Sequence, residues 1–219
     1  QCVSAGLVLL CLVRAHTAYQ VNLRHLRIKK DKLWGMVKIG LPAGIQGCSF
    51  SISNVLIQSS INSFGSLAMA GNTAASNIEG FVSTAQDAFA QAALSFTGQN
   101  VGAGKLKRVC RVLPLCICLE LGVGLVMGVG AYLLGPQLLG IYSSDPEVIG
   151  YGMIRMGICC VLQCVGGLMG VMVGTLRGMG YSFVPMAITI GFVCGFRVIW
   201  IFTIFVQWHT LESLYVSYP

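Results

Sequence analysis

The chain has 219 residues, of which 55% are hydrophobic and only 10% charged, with a net charge of +7. Soluble domains carry about 25% charged residues, so a water-facing surface is excluded and the solvent that suits this composition is lipid. The Lys and Arg residues sit in short clusters between apolar runs without interleaved aromatics, which excludes a nucleic-acid surface. The ten cysteines lie mostly inside apolar stretches and read as small buried hydrophobes, not as a disulfide framework.

Residues 1–19 read as a partial transmembrane helix, short and interrupted by Arg14. The chain opens at Gln1 already inside an apolar run, so no signal peptide is readable and the sequence is taken as a fragment. Residues 20–34 form a basic linker holding Arg24, Arg27, Lys29, Lys30 and Lys32. A membrane span needs about 20 residues at ~1.5 Å rise each. On that basis residues 35–206 form a lobe of five spanning helices at about 35–62, 72–97, 109–134, 147–175 and 183–206. Residues 207–219 are expected to be an outer loop, cut before a last helix. The last three spans are apolar enough to stand on hydropathy alone; the first two are more polar.

Charge placement supports those two. Lys105, Lys107 and Arg108 follow the 72–97 helix, and Arg177 follows the 147–175 helix. The connections between 62 and 72 and between 134 and 147, and the tail after 206, hold no Lys or Arg. Basic and non-basic connections alternate, so the positive-inside rule puts the linker before residue 35 and the turns near 105 and 177 in the cytoplasm. Ser144, Asp145, Pro146 and Glu147 read as a capped helix start.

Gly166, Gly170, Gly174 and Gly178 recur every four residues and predict a groove for helix packing. Pro42, with Gly40, Gly44 and Gly47, predicts a bend. In the 72–97 helix, Asn72, Ser76, Glu79, Ser83, Gln86 and Asp87 fall within about 60° of one line at ~100° per residue. An unpaired charge at mid-membrane costs from ~2.5 to over 10 kcal/mol. These acids are therefore either partners of a nearby Arg or a site for a proton, a cation or a substrate. The 35–62 helix carries Ser51, Asn54, Gln58 and Asn62, which either bond between helices or line the same cavity.

Three more charges lie in apolar helices: Glu120, Arg155 and Arg197, taken together as structural charge partners. Counted from the outer helix ends, Glu79, Arg155 and Arg197 share a depth of about 10–14 Å, while Asp87 and Glu120 lie at about 20 Å. Asp87 is thus the candidate titrating acid and Glu79 the candidate partner of an Arg. With them, Gln86, Asn54 and Gln58 complete the candidate substrate or cation site. Residues 98–106 superficially suggest a phosphate-binding loop, but the glycine spacing is off by one and Leu106 replaces the Ser or Thr that would hold magnesium. His16, His25 and His209 form no metal set. With no nucleophile–base pair either, the sequence gives no basis for an enzyme.

Several stretches resemble one family. Residues 40–46 (GLPAGIQ) resemble the start of the second half of multidrug and toxic compound extrusion (MATE) transporters. Residues 98–105 resemble their Gly-Ala-Gly cytoplasmic turn, 142–148 their outer turn, and 176–180 the following cytoplasmic turn. The four occur in order and on the sides assigned by charge. The resemblance implies an all-α polytopic membrane bundle, one truncated lobe of a two-lobed, 6+6 helix transporter. The 1–19 segment would match the sixth helix and the five later helices the seventh to eleventh. It also implies efflux of small cationic or amphipathic molecules against inward proton or sodium flow, with no other cofactor. The expected partners are the substrate, the bilayer and the N-terminal lobe of the same polypeptide, in a multi-pass cell-membrane protein. One departure stands: some members carry a carboxylate in the seventh helix, whereas here Gln46, Asn54 and Gln58 are neutral and no acid follows Lys38 before residue 62. Two rival readings are a lipid-linked saccharide flippase of the same architecture, which calls for a strongly cationic cavity, and a non-transporting scaffold or receptor subunit.

Overall fold

The computed structural model describes residues 2–14, 27–205, 207 and 210–216. Arg24, His16, His25 and His209 lie outside the described residues, as do residues 20–26 of the linker, Val206 and the last three positions. The helices are α1 (Cys2–Arg14), α2 (Lys30–Asn62), α3 (Ser66–Gly102), α4 (Leu106–Leu133), α5 (Gly135–Gly140) and α6 (Pro146–Gly178). They are followed by α7 (Phe183–Phe205) and α8 (Leu211–Tyr215). No strand occurs among the described residues. Residues 1–38 and 39–219 form separate compact units, the first holding α1 and the opening turns of α2.

By length and hydropathy α4 and α7 qualify as membrane spans. So does α6 when Pro146–Cys160 and Leu162–Gly178, bent by 44°, are taken as one span. Large apolar side chains on α4 and α7 point away from the protein, with Val126 72% and Phe192 75% exposed. Surfaces of that kind call for lipid or a protein neighbour. Helices α2 and α3, at the first two expected spans, do not meet that test of length and hydropathy; they begin earlier than expected, at Lys30 and Ser66, and α3 runs on to Gly102. The extra turns at 30–34 and 98–102 are rich in polar residues, and a helix continues into the interface wherever its backbone bonds are kept; the extra start of α3 instead buries Ala68. Helix α2 continues through Pro42 and α4 through Pro114. Helix α7 is α-helical except for π-helical turns at Thr189–Cys194 and Ile201–Phe205. The 207–219 segment, expected as loop, contains α8, whose Leu214 and Tyr215 are fully buried.

Local chemistry sets the turns. Asp145 Oδ1 accepts the Glu147 N–H at 2.9 Å and Pro146 occupies the first helical position of α6. Helices α3 and α6 both end in the 6→1 pattern that needs a left-handed residue. Lys105 N–H bonds Asn100 O at 2.8 Å past Gly104 (φ 71°), and Tyr181 N–H bonds Leu176 O at 2.9 Å past Gly180 (φ 91°).

Helices α3, α4 and α6 pack closely on one another. Between α3 and α6 the contact is backbone to backbone: a Cβ on Gly174 would lie 2.5 Å from Ala90 O, and one on Gly178 2.7 Å from Leu94 O. The rest of the expected ladder does not pack in this way. A Cβ on Gly170 would meet only Ala90 Cβ, at an ordinary 3.5 Å, and one on Gly166 would meet nothing within 4 Å. The bundle splays at that level, so Gly166 is not a packing residue and instead faces a cavity. Glycines outside the ladder do pack: Gly128 lies against Cys160 O, and Gly71 against Val148 O.

The residue 39–62 part of α2 and α7 stand off from this block. They rejoin it where α2 turns into α3, in an apolar cluster that includes Ile57, Ile61, Ala68, Cys159, Phe205 and Leu214. Helix α8 closes this end, with Trp200 Nε1–H donating to Ser213 O at 2.8 Å.

Gly174→Leu is expected to destabilise the folded protein by about 1–3 kcal/mol through overpacking, seen as a lower melting temperature in detergent. Gly166→Ala is expected to be neutral or stabilising by up to about 1 kcal/mol, the usual helix-propensity gain.

Candidate functional site

A cavity of about 580 Å³ lies between the α3–α6 wall and the α2–α7 wall. From α3 it is lined by Glu79, Ser83, Gln86 and Asp87. The polar stripe read from the sequence therefore faces a space inside the bundle. Helix α6 contributes Gln163 and Gly166 to the lining, α2 contributes Asn54, and α7 contributes Arg197.

Glu79 is held in a buried ion pair. Arg155 Nε donates to its Oε1 at 2.8 Å and Arg155 Nη2 to its Oε2 at 2.7 Å. Arg155 Nη1 also donates to Asn72 Oδ1, and its guanidinium lies 5.7 Å from the Tyr215 ring centroid. Asn72 Nδ2 in turn donates to Gln58 Oε1 at 3.1 Å, and Gln58 Nε2 to Asn62 Oδ1 at 3.3 Å. Gln58 is therefore an interhelical tie and does not line the cavity, against its placement among the candidate binding residues. The reason is its position nearer the closed end of α2, opposite Asn72.

Arg197 Nη1 donates to Asn54 Oδ1 at 3.0 Å, and its guanidinium lies 5.8 Å from the Phe50 ring centroid. Glu120, grouped with the charge partners, pairs with neither arginine. Helix α4 turns it toward α3 and α6, where it is fully buried and its Oε1 accepts from Gln86 Nε2 at 3.0 Å. Asp87 differs from both other acids. It is exposed to the cavity and makes no hydrogen bond or ion pair among the described residues.

Sequence reading missed two polar groups. Gln163 donates from Nε2 to Ser83 Oγ at 2.7 Å. Gln46 donates to Thr189 Oγ1 at 2.8 Å and accepts from Arg177 Nη2 at 2.6 Å, joining α2, α6 and α7 at the end of the bundle opposite the apolar cluster. Each is a lone amide in an apolar stretch, the kind of signal that singled out Arg155 and Arg197. Among the described residues no group of three or more His, Cys, Asp or Glu is placed to hold a metal ion.

An all-helical bundle with a lipid-facing apolar exterior and an acid-lined internal cavity defines one lobe of a polytopic membrane transporter. The chain belongs to the MatE family, whose model matches residues 42–202. It is 25% identical over 175 residues to the probable multidrug resistance protein YoeA of Bacillus subtilis, covering 80% of this chain and 38% of that one. It is 25% identical over 154 residues to the probable multidrug resistance protein NorM of Thermotoga maritima, covering 70% and 33%. Among solved structures, a MOP superfamily transporter from Pyrococcus furiosus superposes with a TM-score of 0.81 at 19% identity, over 99% of this chain and 49% of that one. A mutant of the Vibrio cholerae MATE transporter VcmN gives 0.80 at 19% identity, over 98% and 49%. The chain thus spans 33–38% of those curated relatives and about half of those solved structures. The family is one of membrane transporters, not of enzymes.

Glu79→Gln is expected to destabilise the folded protein by about 3–5 kcal/mol, because it strands a guanidinium that is only 4% exposed. Replacing both partners with apolar residues (Glu79→Leu with Arg155→Met) is expected to recover most of that loss, measured as melting temperature in a double-mutant cycle.

Proposed function

We propose that this chain is the C-terminal lobe of a secondary active exporter in the cell membrane. It takes small organic molecules, cationic or amphipathic, and couples their exit to inward flow of protons or sodium. The N-terminal lobe of the same polypeptide faces the cavity, and the bilayer surrounds both. The observation that carries this reading is the contrast between two acids on one helix face. Glu79 is neutralised by Arg155 and serves the fold, while Asp87 faces the cavity with no partner among the described residues. An unpaired carboxylate at a wall inside the membrane has a use in exchanging a cation, and a coupled exporter supplies it with alternating occupants.

A scaffold has no need of such a group. A flippase for lipid-linked saccharides calls for a strongly cationic cavity, and this one sets Asp87 and Glu79 against Arg197.

In the full-length protein in proteoliposomes, Asp87→Asn is expected to abolish gradient-driven dye efflux while leaving expression and melting temperature unchanged. Normal efflux by that variant would remove Asp87 from the coupling step and move the site to the other lobe.

Orientation has its own test. Cysteines placed at Ser66 and Gln137, in a background without native cysteines, are expected to react with an impermeant thiol reagent from outside the cell. One placed at Lys105 is expected to react only after permeabilisation. The reverse pattern would contradict the assigned topology.

A further inference from the structure

The buried Glu120 has no role in the reading above, and its surroundings show what it does. Both hydrogens of the Gln86 side-chain amide are spent inside the protein, one on Glu120 Oε1 at 3.0 Å and one on the backbone carbonyl of Gln163 at 3.3 Å. The backbone carbonyl is an obligate acceptor, so the amide cannot turn round without aiming its own oxygen at two acceptors. The slot is sterically fixed as well: a Cβ on Gly124 would lie 2.5 Å from Gln86 Nε2, and one on Gly167 would fall on Glu120 Oε1. Gln86 Oε1 receives no donor from the described residues, yet it is not among the buried unpartnered atoms. In a residue that lines the cavity, that oxygen ends at the cavity wall.

The neighbouring amide is held by one bond. Gln163 Nε2 donates to Ser83 Oγ, whose own hydrogen goes to Glu79 O at 3.0 Å, and Gln163 Oε1 is likewise unpartnered and unburied. The α3–α6 wall thus offers the cavity two neutral amide oxygens beside the Asp87 carboxylate.

We propose that this wall is a recognition site for the N–H donors of a substrate cation, an ammonium or guanidinium, in which Gln86 and Gln163 accept hydrogen bonds and Glu120 is the positioning residue that fixes Gln86. The proposal rests on the transport of organic cations argued above and adds the feature by which they are selected. A quaternary ammonium of similar shape satisfies Asp87 by charge but leaves both amide oxygens desolvated and unpaired, so it binds more weakly.

The test uses the full-length protein in lipid nanodiscs and two probes, 2-phenylethylammonium and its N,N,N-trimethyl counterpart, with affinities from calorimetry. Wild type is expected to prefer the ammonium by roughly tenfold, the worth of one or two hydrogen bonds to a charged donor. Gln86→Leu is expected to lower that ratio at least about threefold. Glu120→Leu is expected to lower it similarly, while Glu120→Gln, which keeps an acceptor for the Gln86 amide, is expected to retain it. A merely structural role for Glu120 would not be rescued in the ratio. Equal binding of the two probes by wild type, or an unchanged ratio in Gln86→Leu, would overturn the proposal. A ratio lost in Glu120→Gln would overturn the positioning role. Should Glu120→Leu fail to fold, Gln86→Leu and Glu120→Gln decide. Binding of neither probe would overturn the organic-cation reading itself, and this proposal with it.

Discussion

A guanidinium cannot be taken out of water without partners for its charge and its donors. Arg155 meets that demand from three directions: the Glu79 carboxylate and Asn72 on α3, and the Tyr215 ring on α8. Asn72 passes the constraint on to Gln58 of α2. One buried cation therefore sets the register of four helices at the closed end of the lobe. It also explains why α3 tolerates an acid deep in its span, and why that acid is unavailable for anything else. The remaining acid on the same face, Asp87, is left to the cavity, with no arginine bonded to it among the described residues.

How much of this the sequence showed depends on what each signal encodes. Helix spans and the polar stripe of α3 were legible, because periodicity and hydropathy are local properties of the chain. The alternation of basic turns identified α2 and α3 as helices of the bundle where hydropathy fell short. Partner choice was legible only in part. Depth placed Glu79 beside an arginine, and it meets Arg155, but Glu120, grouped with the charge partners, meets Gln86 instead. That difference follows from how α4 is rotated about its axis against α6, which no local pattern specifies.

The glycine ladder makes the same point for packing. Four glycines at equal spacing share one face of α6, and spacing alone implies one role. The helices diverge along that face, so Gly174 and Gly178 admit the backbone of α3 while Gly166 borders the cavity. Absence of a side chain means close approach in one place and open volume in the other. Gly167, which packs on Glu120 and Gln86, lay outside the ladder, where the spacing pointed to no packing role.

The stand-off of α2 and α7 from the α3–α4–α6 block has a mechanical consequence. The block is joined by backbone contacts too short to stretch, and so behaves as a stiff plate. Helices α2 and α7 are tied to it and to each other by side chains: Gln46 to Arg177 and Thr189 at one end, Gln58 to Asn72 at the other, and Arg197 to Asn54 at the cavity. Such bonds have a net worth of about 1 kcal/mol each and can be exchanged for water one at a time. A load applied to this lobe is therefore borne unevenly. The plate keeps its shape, and the compliance is concentrated in the seam that contains the cavity.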